Sequence, residues 1–310
     1  MISVILPCFN EANNIPEIYD RLITVLNLTQ EEYELIFIDD GSTDNTLETL
    51  SHICAKDSRV KVLEFSRNFG HQAALCAGLD HAQGDAVIML DADLQHPPEV
   101  ILQLIEKWKE GYEIVNTVRN DPPGASLFKK LSAKGFYKVM NLFTNMHIPE
   151  NSADFRLIDR KVVTEFKGLK EKNKFFRGLV NWIGFKKCVV TYDASPRLAG
   201  VSKYSFWKML KFAFDGITSF SAFPLHVATM LGILVSCASF LYAMYAIYIR
   251  VFTETAVPGW TSVLVAVLFL GGVQLLSLGI IGEYLNRVYT ETKDRPVYIV
   301  RNVHGSRKQG

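Results

Sequence analysis

Two carboxylates stand one residue apart in the first third of the chain, at the end of an apolar run. The run VIML at residues 87–90 predicts a buried strand, because it is apolar and is followed closely by Pro97 and Pro98. Asp91 and Asp93 come directly after it. Carboxylate pairs of this kind bind divalent cations such as Mg²⁺ or Mn²⁺, which keep several waters and bridge to substrate phosphates. An Asp-x-Asp pair alone is a weak signal, because turns produce it by chance.

Acidic residues also follow two other apolar runs. Glu11 comes after ISVILP, and Asp39 and Asp40 come after ELIFI. Because the carboxyl ends of parallel strands meet at one edge of a sheet, these carboxylates are predicted to converge with Asp91 and Asp93. Asp39 and Asp40 would suit the hydroxyl or N–H donors of a nucleoside. The chain has no P-loop fingerprint and no G-x-G-x-x-G after its first strand.

The elements that must position these carboxylates alternate between strands and helices. Apolar runs are ISVILP, ELIFIDD, VKVLEF, AVIMLDAD and EIVNTVR, and helical patterns such as NIPEIYDRLITVL and PPEVILQLIEKWKE separate them. This alternation predicts an α/β fold whose mostly parallel sheet carries helices on both faces. After Arg119 the alternation weakens.

The last third of the chain has a different composition. No Asp, Glu, Lys or Arg occurs between Asp215 and Arg250, or between Glu254 and Glu283. Each gap is longer than the ~20 apolar residues that a helix needs to cross a bilayer. We therefore predict two transmembrane helices at about residues 225–249 and 260–281, joined by a short turn. The alternative is a helical hairpin buried in a soluble core.

Charged residues around these helices predict their orientation. Basic residues are concentrated on the two flanks, while the connecting turn holds only Arg250; the flanking residues are Lys203, Lys208, Lys211, Arg287, Lys293, Arg295 and Arg301. The positive-inside rule then places both flanks in the cytoplasm. The first residues lack the pattern of a secretory signal peptide. Five cysteines without paired spacing predict reduced thiols, with no disulfide and no zinc site. A net charge of +1 predicts no nucleic-acid partner.

The segment KYSFWKMLKFAFDGITSF runs directly into the first predicted span. Its lysines alternate with apolar residues, which predicts an amphipathic helix at the membrane surface, with a solvated lysine face over a protein core as the alternative. The predicted organisation is a catalytic domain over residues 1–202, this interfacial helix over 203–222, a two-helix transmembrane hairpin over 223–282 and a cytoplasmic tail over 283–310. The tail is partly strand-like and receives no predicted role.

Six motifs spread over nearly the whole chain resemble a known family in their order. They are PCFNEANN, IDDGSTDNT, FSRNFGHQAALCAGLDHAQGD, DADLQHPPE, ADFRLIDR and RLAGVSKYSF. Together they are similar to the membrane-anchored family 2 glycosyltransferases that load a sugar onto polyprenyl phosphate. That group includes dolichyl-phosphate mannose synthases and bacterial bactoprenol glucosyltransferases, and the two-helix tail favours the bacterial kind.

The resemblance implies a GT-A fold, a nucleotide-sugar donor, a divalent cation (Mg²⁺ or Mn²⁺) and an inverting displacement. By motif position, Asp91 lies at the inner end of the nucleoside site. Asp93, helped by Asp91 and Gln95, holds the metal on the diphosphate. The other residues expected to line the nucleoside site are Pro7, Asn10, Glu11, Asp39 and Asp40.

A polyprenyl phosphate acceptor would bring two negative charges to a site that already holds a diphosphate, so it needs cationic partners. The candidates for binding the acceptor phosphate are Arg119, Arg156 and, from the motif RLAGVSKYSF, Arg197 and Lys203 together with the neutral Ser202. For any single arginine, a surface ion pair is the alternative. Because a phosphate monoester has a second pKa near ~6, it needs no general base at neutral pH. Asp154 is therefore predicted to be catalytic by proximity, orienting Arg156 or a sugar hydroxyl, alongside Asp93.

The predicted function is transfer of one glucose or N-acetylhexosamine from a UDP-sugar to undecaprenyl phosphate. The reaction is expected at the cytoplasmic face of a bacterial inner membrane. Three alternatives stay open: a GDP-mannose transferase of the dolichyl-phosphate mannose synthase type, a polysaccharide-extending synthase, and a non-catalytic protein that binds or translocates lipid-linked sugars. The chain lacks the Q-x-x-R-W element that polysaccharide synthases usually carry. Paired amphipathic helices also make a homo-oligomer an open expectation.

Overall fold

The computed structural model of the protein describes residues 1–120, 152–172, 174, 176–193, 222–253 and 259–305. The described residues fall into two compact units. One draws on residues 1–206 together with 295–310, and the other on residues 207–294. The first unit is built on a β-sheet and the second on two long helices.

The sheet has eight strands in the described part of the chain, in the spatial order β7-β5-β6-β4-β1-β2-β3-β8. Six strands run in one direction, while β6 and β8 run antiparallel to their neighbours. The predicted mostly parallel sheet is therefore confirmed. The strands are β1 (Ile2–Cys8), β2 (Tyr33–Asp39), β3 (Val60–Phe65), β4 (Ala86–Met89), β5 (Ile114–Asn120), β6 (Ser152–Asp159), β7 (Lys187–Asp193) and β8 (Val300–His304).

Helices separate the strands of this unit. They are α1 (Ile15–Asn27), α2 (Thr46–Lys56), α3 (His71–His81), α4 (Ile101–Lys109), α5 (Arg160–Gly168) and α6 (Phe176–Trp182). In α1, Ile18, Leu22 and Val25 recur at helical spacing and are buried, so one face of the helix packs against the core. Pro16 stands in the first turn, where its missing N–H costs no helical hydrogen bond.

The central strands set the position of the predicted carboxylates. All seven residues of β1 are buried, as expected for a parallel strand covered on both faces. Cys8 at the end of β1 is paired with Asp39 at the end of β2, and β4 is aligned with β1 through Ile5 and Met89. The chain segments that follow β1, β2 and β4 therefore leave the sheet at the same edge, where the carboxylates were predicted to meet.

Residues near the C-terminus also join this sheet. The strand β8 pairs antiparallel with β3, with Leu63 opposite Val303 and Glu64 opposite Asn302. The sequence indicated strand character in this region without a role. The structure shows that it closes the β3 edge of the sheet.

The second unit consists of α7 (Phe223–Thr253) and α8 (Trp260–Thr292), which contact each other. Two stretches, Phe223–Ile249 and Val265–Thr292, are long and apolar enough to cross a membrane. The second helix continues beyond Ile281, where the prediction ended it. Charged residues there, including Glu283 and Arg287 at 3.6 Å, are good helix formers and can pair at a spacing of four. The predicted interfacial helix falls on residues 203–221, which lie outside the described residues.

Candidate active site

Two neighbouring carboxylates at the end of β2 are almost completely buried. Asp39 is 2% exposed and Asp40 is 4% exposed. The carboxylate of Asp40 accepts hydrogen bonds from the backbone N–H groups of Phe69 at 2.7 Å and Gly70 at 3.0 Å. Burial raises the pKa of Asp40, and these two hydrogen bonds partly offset that effect. Asp39 accepts a bond from the backbone N–H of Ser42 at 3.3 Å. Both acids are therefore held in fixed orientations at the sheet edge.

The loop after β1 is locked to the loop after β2. Asn10 has a positive φ of 59°, a conformation that asparagine tolerates better than most residues. Its side-chain oxygen accepts a hydrogen bond from the backbone N–H of Thr43 at 2.8 Å. The N–H of Glu11 donates to the hydroxyl of Thr46 at 2.9 Å. Asn10 thus joins the two loops, which places Glu11 at a defined point of the edge.

Gly41 is where a side chain would disturb this edge most directly. It has φ +69°, and an added Cβ would lie 2.6 Å from the carbonyl carbon of Arg67 and 2.7 Å from the N of Asn68. Gly41→Ala should therefore destabilise the protein by about 1–3 kcal/mol beyond the cost of the positive φ, because the backbone of residues 67–70 must shift.

The matched control for Gly41→Ala is Gly111→Ala. Gly111 also has a positive φ, of +88°, but an added Cβ would meet nothing within 4 Å. Thermal unfolding of the two purified variants measures the difference. Equal losses in both variants would show that the contact with the 67–70 backbone has no effect on stability.

Asp40 opens onto a pocket of about 320 Å³ at this edge, whereas Asp39 and Asn10 are not among the residues that line it. Its lining includes Pro7, Glu11, Asp40, His71, Asp91 and Asp93. Five of these were predicted from the sequence as nucleoside or metal residues. The convergence of side chains from three strand ends is therefore present in the structure.

Two histidines contact Asp91. His96 Nε2 lies 3.2 Å from one oxygen of Asp91, and His71 Nε2 lies 3.5 Å from the other. The other ring nitrogen of His96 lies 2.5 Å from the hydroxyl of Tyr192, which fixes the orientation of the ring. Desolvation raises the pKa of Asp91, but His96 and His71 outweigh it, so the pKa of this carboxyl is lowered below its usual value. Asp91 is thus held ionised in the lining of the pocket.

Asp93 and Gln95 form the second part of the predicted metal site. The backbone N–H of Gln95 donates to Asp93 at 3.1 Å, and its side-chain amide also contacts the Asp93 carboxylate. Arg119 at the end of β5 donates to the side-chain oxygen of Gln95 at 3.4 Å. Asp93, Gln95 and Arg119 therefore form one hydrogen-bonded line beside Asp91.

The donor chemistry of these side chains suits a hard divalent cation. Two carboxylates and an amide oxygen are ligands that Mg²⁺ and Mn²⁺ accept, with the remaining positions filled by water and substrate phosphate. Within the described ranges, no group of three or more His, Cys, Asp or Glu side chains forms a ready metal cage. Asp91, Asp93 and Gln95 therefore fit a cation that depends on its substrate for part of its coordination.

A partly buried ion-pair cluster adjoins Asp91. Asp154 on β6 accepts two hydrogen bonds from Arg177 on α6, from Nε and Nη2, both at 2.8 Å. Arg156 lies 3.4 Å from Asp154 and is fully buried. Burial lowers the pKa of Arg156 to about 10. Burial alone would raise the pKa of Asp154, but Arg177, with Arg156, holds that pKa well below the usual range. His71 lies 3.7 Å from Asp154, so it bridges this cluster and Asp91.

The structure brings together some of the predicted site residues, while others lie outside the residues that it describes. The structure brings Asp91, Asp93, Gln95, Asp154 and Arg119 to one region through the contacts above. Their assigned roles stay predictions. Arg156 is fully buried against Asp154, and this placement gives no support to its predicted contact with the acceptor phosphate. The remaining acceptor candidates lie outside the described residues and also stay predictions; they are Arg197, Ser202 and Lys203.

Three residues of the cluster were not predicted to act there: His71, His96 and Arg177. His71 and His96 have no ligand spacing with one another, so the sequence alone gives neither a role in the site. A usable signal existed for His71, because it follows the end of β3 as Glu11 follows the end of β1. No pattern pointed to Arg177, which reaches Asp154 from a separate helix.

This fold and site define the class of protein. The mostly parallel sheet, with carboxylates following β1, β2 and β4 and an antiparallel β6 beside them, is a GT-A-like nucleotide-sugar fold. The family model "Glycosyl transferase family 2" matches residues 3–166. The chain therefore belongs to glycosyl transferase family 2.

Two relatives match nearly the whole length of the chain. The glycosyltransferase YkcC of Bacillus subtilis is 51% identical over 303 residues, which is 98% of this chain and 94% of that protein. The bactoprenol glucosyl transferase of Shigella phage SfII is 45% identical over 303 residues, covering 98% of each chain. These relatives confirm the predicted resemblance to the polyprenyl-phosphate type of the family.

Solved structures are more distant. The complex of glucosyl-3-phosphoglycerate synthase from Mycobacterium tuberculosis with Mn²⁺, UDP-glucose and phosphoglyceric acid is 18% identical, with a TM-score of 0.47. The match covers 70% of this chain and 77% of that chain. A similarity this weak assigns no ligand to this protein.

Proposed function

We propose that this glycosyltransferase uses a divalent cation and transfers one sugar, with inversion, from a UDP-sugar to undecaprenyl phosphate. The observation that carries the proposal is the single edge where a carboxylate pocket adjoins a cluster of arginines around Asp154. Carboxylates suit a nucleoside and a cation, and arginines suit the phosphate of an acceptor. The name of the relatives at 45% identity, bactoprenol glucosyl transferase, supports a lipid-carrier acceptor and glucose.

We assign the binding of the nucleotide-sugar donor to the pocket. Asp39 and Asp40 accept hydrogen bonds from the nucleoside in this proposal, and Pro7 and Glu11 line the pocket beside it. Asn10 holds together the loops that carry these residues. Asp91, Asp93 and Gln95 would hold a divalent cation on the diphosphate. Such a cation, when bound, stabilises the charge that develops on the departing nucleotide diphosphate.

The acceptor half needs cations and alignment rather than a base. A phosphate oxygen of the acceptor is already ionised near neutral pH, so it can attack the anomeric carbon directly. Both oxygens of Asp154 are engaged by Arg177, which suits Asp154 to orienting that guanidinium. We assign Arg177 and Arg119 to the acceptor phosphate, together with the motif residues Arg197, Ser202 and Lys203. Alignment behind the anomeric carbon gives inversion.

The two apolar helices support a reaction at a membrane. An undecaprenyl chain stays in lipid while its phosphate lies at the surface, so a membrane-anchored enzyme meets its acceptor where it resides. We propose that α7 and α8 span a bacterial inner membrane, with the domain over residues 1–202 and the region 283–310 in the cytoplasm. The charge bias around the helices supports this orientation.

Transfer from a panel of radiolabelled UDP- and GDP-sugars to undecaprenyl phosphate tests the proposal. The assay uses the purified full-length protein in detergent, with Mg²⁺, with Mn²⁺ and with EDTA. We expect one UDP-sugar to give a lipid product that carries a single sugar, and EDTA to abolish it.

Each alternative gives a different result in this assay. Label from GDP-mannose would favour a mannose transferase, and a product longer than one sugar would favour a polysaccharide synthase. Nucleotide binding without any product, with lipid and folding verified, would overturn the proposal in favour of a non-catalytic protein. Crosslinking in membranes separately tests the expected homo-oligomer.

A further inference from the structure

Residues 298–304, here named the C-terminal strap, run along the outer edge of β3. Three polar side chains of the strap converge on the carboxylate of Glu64. Arg301 Nη1 lies 3.2 Å from one of its oxygens, Asn302 donates to the other at 2.8 Å, and His304 Nε2 lies 3.5 Å away. The side chain of Glu64 is only 9% exposed. Burial would raise the pKa of Glu64, but the strap outweighs it and holds that pKa below the usual value.

Glu64 is the direct neighbour of a nucleoside-site residue. On adjacent parallel strands, Glu64 is paired in register with Asp39. Side chains paired in this way share a face of the sheet, and like charges on such pairs repel. Burial raises the pKa of Asp39, and the charge of Glu64 raises it further. Any group that balances the charge on Glu64 therefore favours an ionised Asp39.

The strap also contacts the loop that holds Asp40. The backbone N–H of Ser66 donates to the carbonyl of Ile299 at 3.0 Å, and Arg301 Nη2 donates to the carbonyl of Ser66 at 3.1 Å. This loop continues to Phe69 and Gly70, whose N–H groups bind Asp40. The strap therefore supports the loop at its start, and Asp40 is bound at its end.

Aromatic contacts strengthen the same connection. The ring of Tyr298 stacks on Phe65 at 5.3 Å, with 11° between the planes, and Phe65 meets Phe69 edge-on at 5.6 Å. The hydroxyl of Tyr298 donates to Asp80 on α3 at 2.7 Å. The strap thus touches β3, α3 and the loop between them.

We propose that the C-terminal strap is a positioning element of the nucleotide-binding site, in which Arg301 balances the charge of Glu64 and Asn302 donates a hydrogen bond to it, so that Asp39 remains a hydrogen-bond acceptor for the nucleoside. Arg301 is the central positioning residue, because it contacts Glu64 and also the start of the loop whose backbone N–H groups donate to Asp40. This inference rests on the proposed function in one respect, namely that Asp39 and Asp40 bind the nucleoside.

The experiment compares Arg301→Gln, Glu64→Gln and the double variant. Binding of UDP and of GDP to the purified full-length protein with Mg²⁺ is measured by calorimetry. We expect Arg301→Gln to weaken binding of the preferred nucleotide by about tenfold, a typical coupling between contacting residues. In the double variant the uncompensated charge is absent, so affinity should return to within about threefold of the wild type. The KM for the lipid acceptor should not change.

Two further variants separate positioning from general damage. Arg301→Lys keeps the charge and should bind nucleotide almost as the wild type does. Arg295→Gln removes an equal charge just before the strap and should leave affinity unchanged. Thermal unfolding of each variant identifies any loss of folded protein. If Arg301→Gln does not fold, the milder Asn302→Ala replaces it in the experiment.

The possible results are distinct. Unchanged affinity in folded Arg301→Gln, or a loss that persists in the double variant, would overturn the inference. If the wild type binds neither UDP nor GDP, the proposed function fails instead.

Discussion

Replacing Asp93 with asparagine should lower kcat/KM for sugar transfer by about two to three orders of magnitude, a typical loss when a group that stabilises transition-state charge is removed. The asparagine keeps the size of the side chain and can accept one of the two hydrogen bonds that Gln95 donates, but it removes the charge that would hold a cation. Because the charge develops on the leaving diphosphate, kcat should fall more than affinity for the donor. The measurement is steady-state transfer at saturating acceptor.

A second readout ties the effect to the cation. In the wild type, Mg²⁺ or Mn²⁺ should strengthen UDP binding, and in Asp93→Asn this enhancement should shrink. Asp20→Asn is the matched control, because Asp20 is an exposed carboxylate on α1 and should leave both quantities unchanged. Full activity in Asp93→Asn, or an unchanged metal enhancement, would remove Asp93 from the cation site.

Loss of the Asp154 and Arg177 pair should have the next largest effect. Arg177→Gln should reduce kcat/KM for the lipid acceptor by about a hundredfold or more, because a charge-assisted, two-pronged contact is lost beside the acceptor phosphate. Arg177→Lys keeps the charge but not the planar fork, so it should recover only part of the loss. The KM for the donor should change little, which assigns the effect to the acceptor half.

Arg177 is 28% exposed and Asp154 11% exposed. Removing one partner of this partly buried pair should therefore also destabilise the fold, by less than the ~3–5 kcal/mol of a fully buried pair. Folded fraction must therefore be measured alongside activity. Lys161→Gln removes an exposed cation at the start of α5 and serves as the control, with no expected change. If the acceptor KM of folded Arg177→Gln matches that of the wild type, Arg177 has no part in binding the acceptor.

The pH dependence of Asp154→Asn separates positioning from base catalysis. The pKa of Asp154 is depressed by Arg177, so Asp154 is ionised throughout the neutral range. Its contribution to stability is present above the unfolded pKa near ~3.9 and is lost as pH falls through the lower folded pKa. A positioning role predicts that Asp154→Asn raises the acceptor KM and leaves the pH profile of kcat/KM unchanged in shape above about pH 5. Disappearance of an acidic limb in the variant would identify Asp154 as a general base.

The sequence was most informative about where strands end. Buried parallel strands are continuous apolar runs, so the first polar residue after each run marks the sheet edge, and this placed Asp40, Asp91 and Asp93 correctly at one pocket. The partners of Asp91 and Asp154 were beyond this reasoning. Periodicity reports which side of an element is buried, but it does not report which distant side chain will approach a given carboxylate. Arg177 and His71 were therefore found only in the structure.

The same limit applies to two features near the C-terminus, namely the length of α8 and the pairing of β8 with β3. Charge gaps revealed both apolar helices, because a helix long and apolar enough to cross a membrane carries few ionised side chains. The prediction ended α8 at Ile281 because charges return there, yet charged residues do not end a helix in water. The pairing of β8 with β3 joins segments far apart in sequence, and short alternating strands carry no label for their partner.

The antiparallel pairing of β8 with β3 has a consequence for the order of biosynthesis. At ~5–20 residues per second, a ribosome that has completed β3 needs on the order of ten to fifty seconds to reach β8, and it must make both apolar helices in between. During that interval the outer edge of β3 lacks its partner strand, and such an open edge can pair with other chains. The nascent sheet therefore keeps this edge open to aggregation until both α7 and α8 have been translated.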